Sequence, residues 1–500
     1  MNQSQTPLLD AITDFIETKP AYFRIPGHRL NQGISRRWTD KVGTDIFAYD
    51  VTETPFTGDL HSPEGAISEA QELLRALYEA DRSFFLVNGS TCGNEAMIIS
   101  AALEGEKIMV ARNAHKSAMM GLVISGAEPV YVMPEVIDDW GIQGGITAEA
   151  VRACFAKNPD CKALFMVSPS YYGVCSDLAE IAKVCHEYGA LLLVDEAHGG
   201  HVYFHEGLPM GALQAGADLC VQSMHKVTGA LTQSSVLHIK SHGINDEALS
   251  RIAQNLHLVQ STSPNYLLMT SLDCARYELA MHGTEMMEKA LKLAKSTRER
   301  INKIPGFRCM ESEKLSKEAE NAGVKAIDGT RLVISAKELG ITGFALDELL
   351  FQKYAVNVEL ADYENVLAIV TYANEQEDMD RLVTACEAVS RKYLSREGSL
   401  QQTIRASDTK MPPFPALPEQ VMTPRSAYFA KSKIISWKEV VGKISGQMIA
   451  PYPPGIPVIY PGERITREVW EYIERFRVDG RHLHGADSDG KLEEIKIINE

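Results

Sequence analysis

Ala190-Leu-Leu-Leu-Val-Asp-Glu-Ala-His198 is the stretch on which the fold turns. Five apolar residues run without interruption into Asp195, the pattern of a strand buried on both faces that ends at a carboxylate. The same grammar recurs on either side. Ser83-Phe-Phe-Leu-Val87 runs into Asn88-Gly-Ser-Thr91, Lys107-Ile-Met-Val-Ala111 into Asn113-Ala-His115, and Ala217 to Val221 into Ser223-Met-His-Lys226. Pro129-Val-Tyr-Val-Met133 and Ala163-Leu-Phe-Met-Val167 continue the series, with helical patterns such as Gly93 to Leu103 between them. Strands alternating with helices predict an α/β fold with a mostly parallel sheet wrapped by helices on both faces. In such sheets ligands gather beyond the carboxyl ends of the strands. Ser90, Thr91, His115, Asp195, His198, Ser223, His225 and Lys226 are therefore expected to converge.

The remaining composition sets bounds. The 500 residues suffice for two or three domains, each with its own core. A formal charge of −16 argues against a nucleic-acid partner and against attraction to anionic lipid. No apolar run reaches membrane length, and Met1-Asn-Gln-Ser-Gln-Thr-Pro lacks signal-peptide character, so the expected location is the cytoplasm. Nine scattered cysteines without a CxxC suit buried reduced thiols rather than disulfides or zinc.

Four segments are expected: residues 1–66, an N-terminal helix and a segment lining the active site; 67–305, the large domain; 306–394, a smaller α/β domain; and 395–500, a connector and closing module. Leu8, Leu9, Ile12, Phe15 and Ile16 give the first helix its apolar face. The segments holding His28 and Asp59-Leu-His61 are polar and punctuated by glycine and proline, as surface-lining loops are.

Chemistry follows from the residue types at the strand ends. A lysine amine becomes useful near neutral pH when its charged form is disfavoured or when it is held as an imine, and Lys226 sits among Ser223, His225 and Thr228 before Gly229. Asn88-Gly-Ser-Thr-Cys-Gly93 precedes a helix, so its amides and the hydroxyls of Ser90 and Thr91 face an anion; with no GxGxxG and no Walker lysine, a single phosphate group suits it best. A helix N-cap explains the same hydroxyls equally well. Asp195 needs a partner at the exit of a buried strand, either an arginine or a protonated ring nitrogen. His198, His201 and His205 have ligand-like spacing, but Gly199 and Gly200 oppose a helix there, and no metal is expected. A phosphate cradle, a stacking imidazole at His115, an acid for a ring nitrogen and an imine-forming lysine are together what pyridoxal 5′-phosphate requires.

The chain resembles the fold-type-I Orn/Lys/Arg decarboxylases. The resemblance rests on Pro26-Gly-His28, Asp59-Leu-His61, Gly89-Ser-Thr91, Asn113-Ala-His115-Lys-Ser117, Val194-Asp-Glu-Ala-His-Gly199, Ser223-Met-His-Lys226, Leu231-Thr-Gln-Ser-Ser235, Gln260-Ser-Thr-Ser263 and Tyr452-Pro-Pro-Gly-Ile-Pro457 through Pro461-Gly-Glu463. It implies a large domain of the PLP-dependent transferase type followed by smaller C-terminal α/β parts. By that resemblance Lys226 forms the imine, Asp195 pairs the pyridinium, and His115 stacks on the ring. Ser90, Thr91, Ser223 and His225 hold the phosphate, and His198 stands near the reacting carbons. Gln260-Ser-Thr262 looks like the stretch that reaches the neighbouring subunit's phosphate, implying a homodimer with a shared active site. The chain is most like the short, wingless arginine enzymes of polyamine biosynthesis, which puts the decamers of the longer relatives in doubt.

The expected activity is decarboxylation of a basic amino acid, with arginine to agmatine the best match and lysine or ornithine as alternatives. Glu463 and Asp59 are the first candidates for the substrate's distal cation, with Glu53 and Glu359 behind them, because a carboxylate pairs a guanidinium through two hydrogen bonds. An aminotransferase on the same fold, or a non-catalytic cofactor-binding regulator, would use the same framework; release of carbon dioxide separates them.

Overall fold

The computed structural model describes residues 1–240, 246–311, 321–395, 413–452, 455–486 and 490–499. Most of the expected connector after Ser395 and the Pro453-Pro454 pair lie outside the described residues. The described chain divides into two compact units. The first comprises Met1–Ser100, Leu193–His205 and Met210–Glu285, and the second Ala101–Leu192, Glu206–Pro209 and Met286–Glu500.

The strands follow the apolar runs closely: β1 (Arg82–Leu86), β2 (Lys107–Ala111), β3 (Glu128–Val132), β4 (Ala163–Val167), β5 (Leu191–Asp195), β6 (Leu219–Gln222) and β7 (Ser235–Ile239). In the first unit β6 runs parallel to β5, whereas β7 lies between β1 and β6 and is antiparallel to both. The reversal has a local cause. Between β6 and β7 the chain makes a single helical turn, Met224–Val227, and Gly229 at φ +84° turns it back. That connection contains no helix long enough to carry a crossover back to a parallel start. In the second unit β2 lies between β3 and β4 and is parallel to both. Leu192, Leu193 and Val194 are fully buried, as are Ile108 to Ala111, which is why these strands read as unbroken apolar runs.

Helix α1 (Pro7–Glu17) buries Leu8 and Ile12, and its Leu8 N–H donates to Asp273 Oδ2 at 3.0 Å. Helices α2 (Gly65–Leu77), α3 (Gly89–Ala101) and α4 (Lys116–Ser125) follow. The expected helix from Gly93 begins four residues earlier, at Gly89, so Ser90 and Thr91 stand in its first turn rather than in a preceding loop. Gly93 itself is a packing requirement: a Cβ there would lie 2.7 Å from both Leu86 Cδ1 and Val221 Cγ2. The helix is drawn onto the strands until no methyl fits.

Elsewhere in the second unit an antiparallel sheet is ordered β8 (Arg308–Cys309), β9 (Arg331–Ser335), β11 (Asn365–Ile369), β10 (Leu360–Ala361). Leu332, Ile334 and Val366 from it share a core with Leu346, Leu350, Leu382 and Val389 from two helices. A further hairpin-like pair, β12 (Ser432–Ser436) with β13 (Glu494–Ile498), shares a core with the helix Arg467–Val478 around Trp437, Ile473 and Ile495. No helix among the described residues is long and apolar enough to cross a membrane.

Candidate active site

In the first unit the loop after β6 delivers Lys226. Its backbone N–H donates to Ser223 O at 3.1 Å, so Ser223 and Lys226 open and close one turn. The Lys226 ammonium Nζ lies 2.9 Å from His198 Nε2, which sits just beyond the end of β5. A charged lysine here donates to a neutral imidazole, and one proton can reside on either nitrogen.

Asp195 at the end of β5 is buried. Burial pushes its carboxyl pKa up; the nearby Lys226 charge, the Asn94 side chain and the Ala197 N–H act in the other direction. Asn94 Nδ2 donates to Oδ2 at 2.7 Å and Ala197 N to Oδ1 at 3.1 Å. Among the described residues no arginine or lysine stands within ion-pair distance of this carboxylate. A buried acid held by two neutral donors, with the Lys226 amine as the cation that acts on it, suits a cationic ring nitrogen.

The start of α3 supplies the anion side. Ser90 Oγ lies 2.7 Å from Ser223 Oγ and 3.2 Å from Ser235 Oγ, so hydroxyls from the first turn of α3, the turn after β6 and the start of β7 meet. First-turn amides of a helix have no intrahelical acceptor and carry its positive dipole end, and the half-buried Thr91 is in the same turn. His225 Nδ1 donates to Ser234 O at 2.9 Å, and burial lowers its pKa, so a neutral ring spends its one N–H on that carbonyl and presents Nε2 as an acceptor. The hydroxyls and the first-turn amides fit a phosphate monoester, which His225 joins as a donor only when protonated. In the same unit Asp59 Oδ1 accepts from His61 N at 2.8 Å, and His61 Nε2 lies 2.8 Å from Ser261 O. Thr262, next along, is exposed.

The second unit carries His115 and Glu463. His115 caps α4, with Nδ1 accepting from Ser117 N at 3.3 Å and lying 3.0 Å from Ser117 Oγ, which restrains the ring. A Cβ built on Gly455 would stand 3.3 Å from Tyr452 Cδ2 and 3.9 Å from His115 Cδ2, so the Tyr452 segment borders this imidazole. Glu463 is engaged differently from the substrate role expected of it. Its Oε2 takes Arg112 Nη2 at 3.0 Å and the Tyr460 N–H at 2.7 Å, with both charged groups buried. Arg112 also donates to Pro457 O and Val458 O, and its guanidinium lies 4.2 Å from the centre of the Tyr460 ring. Glu359 is exposed, and its Oε1 accepts from Tyr171 Oη at 3.2 Å.

Two contributors escaped the sequence reading. Asn94 is four residues after Ser90 on α3 and so shares its face, a spacing that could have flagged it. Ser235 sits where β7 begins and has no local signal that it turns towards Ser90.

Residues 6–378 match the family described as Orn/Lys/Arg decarboxylase, major domain, and residues 408–491 match its C-terminal domain. The chain is 37% identical over 500 residues to the arginine decarboxylase of Bacillus subtilis strain 168, covering 100% of this chain and 99% of that one. It is 23% identical to the inducible lysine decarboxylase of Escherichia coli strain K12, covering 98% of this chain and 79% of that one. The crystal structure of a Francisella novicida lysine decarboxylase superimposes with a TM-score of 0.85 at 22% identity, over 99% of this chain and 81% of that chain. With an α/β framework of the fold-type-I kind and both family domains matched in order, this chain belongs to the Orn/Lys/Arg decarboxylase family.

Proposed function

We propose that the chain is a pyridoxal-phosphate-dependent decarboxylase that converts L-arginine to agmatine and carbon dioxide, a reaction that feeds polyamine biosynthesis. The observation that carries this reading is the Lys226 amine 2.9 Å from His198, with its charge felt by the buried Asp195, which among the described residues has no arginine in ion-pair contact. Full-length identity to arginine decarboxylases, well above that to lysine enzymes, supports arginine over its alternatives.

In this reading Lys226 would hold the cofactor through its amine and Asp195 would pair a protonated ring nitrogen. Ser90, Thr91 and Ser223 would hold the phosphate, joined by His225 when its ring is protonated, and His115 would pack on the ring. Thr262, in the Gln260-Ser-Thr262 strip, serves the phosphate of a neighbouring subunit in a homodimer. When bound, the cofactor supplies an electron sink for the pair left behind as a carboxylate departs.

The chain's residues do the remaining work. Burial raises the pKa of Asp195, whereas the Lys226 charge, the Asn94 amide and the Ala197 N–H oppose the rise and favour the carboxylate that a protonated ring nitrogen would require. Lys226 Nζ and His198 Nε2, 2.9 Å apart, carry the proton that replaces the lost carboxylate on the substrate's α-carbon. Ser117 limits rotation of the His115 ring through Nδ1. For the distal guanidinium we assign Glu359 and Asp59; Glu463 is neutralised by Arg112. These roles suit cytoplasmic metabolism of small basic amino acids.

The test is to incubate the protein and cofactor separately with arginine, lysine and ornithine and to identify agmatine, cadaverine or putrescine by mass. Agmatine with equimolar carbon dioxide is expected. Cadaverine alone would move the assignment to lysine, and a keto acid without gas release would make the protein an aminotransferase. Lys226→Ala should lower gas release by a factor on the order of 10⁴.

A further inference from the structure

Val87 is the residue that leads from β1 towards the start of α3, and two glutamine side chains grip its N–H and its carbonyl. Its N–H donates to Gln260 Oε1 at 2.9 Å, and its carbonyl accepts from Gln233 Nε2. Val87 and Gln260 are both buried. Ser261 N, next to Gln260, also approaches Asn88 Oδ1 at 3.4 Å.

Gln233 adopts φ +85°, the left-handed region that residues with a Cβ avoid and glycine occupies freely. A glutamine held there points to a need for its side chain, since strain of this kind persists where the surroundings over-determine it. The same short loop touches the cradle twice: Gln233 at Val87, and Ser235 at the Ser90 hydroxyl. Neither glutamine reaches the hydroxyl cluster itself. Both hold the backbone from which Ser90 and Thr91 project.

We infer that Gln233 and Gln260 are positioning residues for phosphate: they clamp the two peptide groups that flank Val87 and thereby set the distance between the first turn of α3 and the Ser223 and Ser235 hydroxyls. The inference rests on the phosphate role proposed for Ser90 and Thr91. A mainly β-structural role would stabilise the fold without distinguishing a phosphorylated ligand from its unphosphorylated analogue. A cradle displaced by a fraction of an ångström weakens the phosphate contacts and leaves the rest of the site intact.

The experiment titrates the full-length apo protein with pyridoxal phosphate and with pyridoxal, following the imine absorbance. It compares wild type with Gln260→Met, Gln233→Met, Gln233→Gly and the double Met variant. Wild type should bind the phosphorylated form more tightly. Each single variant should lose about fivefold in affinity for pyridoxal phosphate, the worth of one hydrogen bond, with pyridoxal unchanged. Gln233→Gly removes the contact and relieves the backbone, so a folded protein with the same selective loss ties the effect to the side chain. The double variant should lose less than the product of the singles, because both grip the backbone of one residue. An unchanged affinity for pyridoxal phosphate, or an equal loss for both ligands, overturns the inference. Equal binding of the two ligands by wild type overturns the phosphate site, and this inference with it.

Discussion

Asp195 and Glu463 are both buried carboxylates, and their surroundings are opposites. Glu463 is closed upon itself. Burial raises its pKa, the Arg112 guanidinium and the Tyr460 N–H oppose the rise, and the Tyr131 and Tyr460 rings, stacked with centroids 5.4 Å apart, lie 5.2 and 4.2 Å from the guanidinium. Asp195 has neutral donors, the nearby Lys226 and no arginine within ion-pair distance among the described residues. The first arrangement binds a C-terminal segment to the end of β2. The second leaves a charge available to a ligand. Burial alone therefore does not mark a functional acid; the identity of its counter-ion does.

The contrast can be broken at four points, in descending order of effect. Asp195→Asn should lower the rate of carbon dioxide release by a factor on the order of 10³ while leaving the urea midpoint of the apo protein unchanged or higher, since a buried charge is removed. If stability fell and turnover survived, Asp195 would be a structural acid like Glu463. Arg112→Ala should do the reverse in kind. Stranding the Glu463 charge costs about 3–5 kcal/mol of stability, measurable by denaturant unfolding, whereas Arg112→Met with Glu463→Leu recovers most of it.

Glu196, beside Asp195, sharpens the comparison from a third side. It is buried, its Oε2 accepts from Tyr203 Oη and Gln222 Nε2 at 2.8 Å each, and its Oε1 accepts from Ala212 N at 2.7 Å. Burial raises its carboxyl pKa to about 7 from 4.5. Between these values the folded chain keeps a proton that the unfolded chain has released. Folding is thus favoured at the acid end of the window, and stability declines as pH rises through it. Glu196→Gln should flatten the stability profile between pH 5 and 8 by roughly 2–3 kcal/mol, read from urea midpoints across that range. A profile identical to wild type would show that the carboxyl titrates as it does in water.

The smallest effect expected is at the substrate end. Glu359→Gln should raise KM for arginine by roughly tenfold with kcat nearly unchanged, the mark of lost uniform binding. The same result for Asp59→Asn but not for Glu359→Gln would assign the guanidinium to Asp59.

The candidate residues were legible because strand burial on two faces forces a largely apolar run, and the first polar residues after each run mark the sheet's carboxyl edge. That logic named Ser90, His115, Asp195 and Lys226 as candidates, of which the structure brings Ser90 to Ser223 and Lys226 to His198. It failed for Glu463, where Pro461-Gly-Glu463 looked like part of a substrate-lining segment. Its partner Arg112 lies 351 residues away, and nothing local announces the pair. It also failed at the start of α3, because a Gly-Ser-Thr turn reads equally as loop or first helical turn.

By itself, the sequence determined the alternation of strands and helices, the family and the inventory of reactive groups, since these follow from periodicity and from residue chemistry at strand ends. Tertiary structure alone decided which acids are neutralised, that Asn94 reaches Asp195 and Ser235 reaches Ser90, and that β7 reverses direction. Those outcomes depend on which polar groups are brought within about 3 Å of one another when chain segments distant in sequence are buried together, a distance that no local pattern encodes.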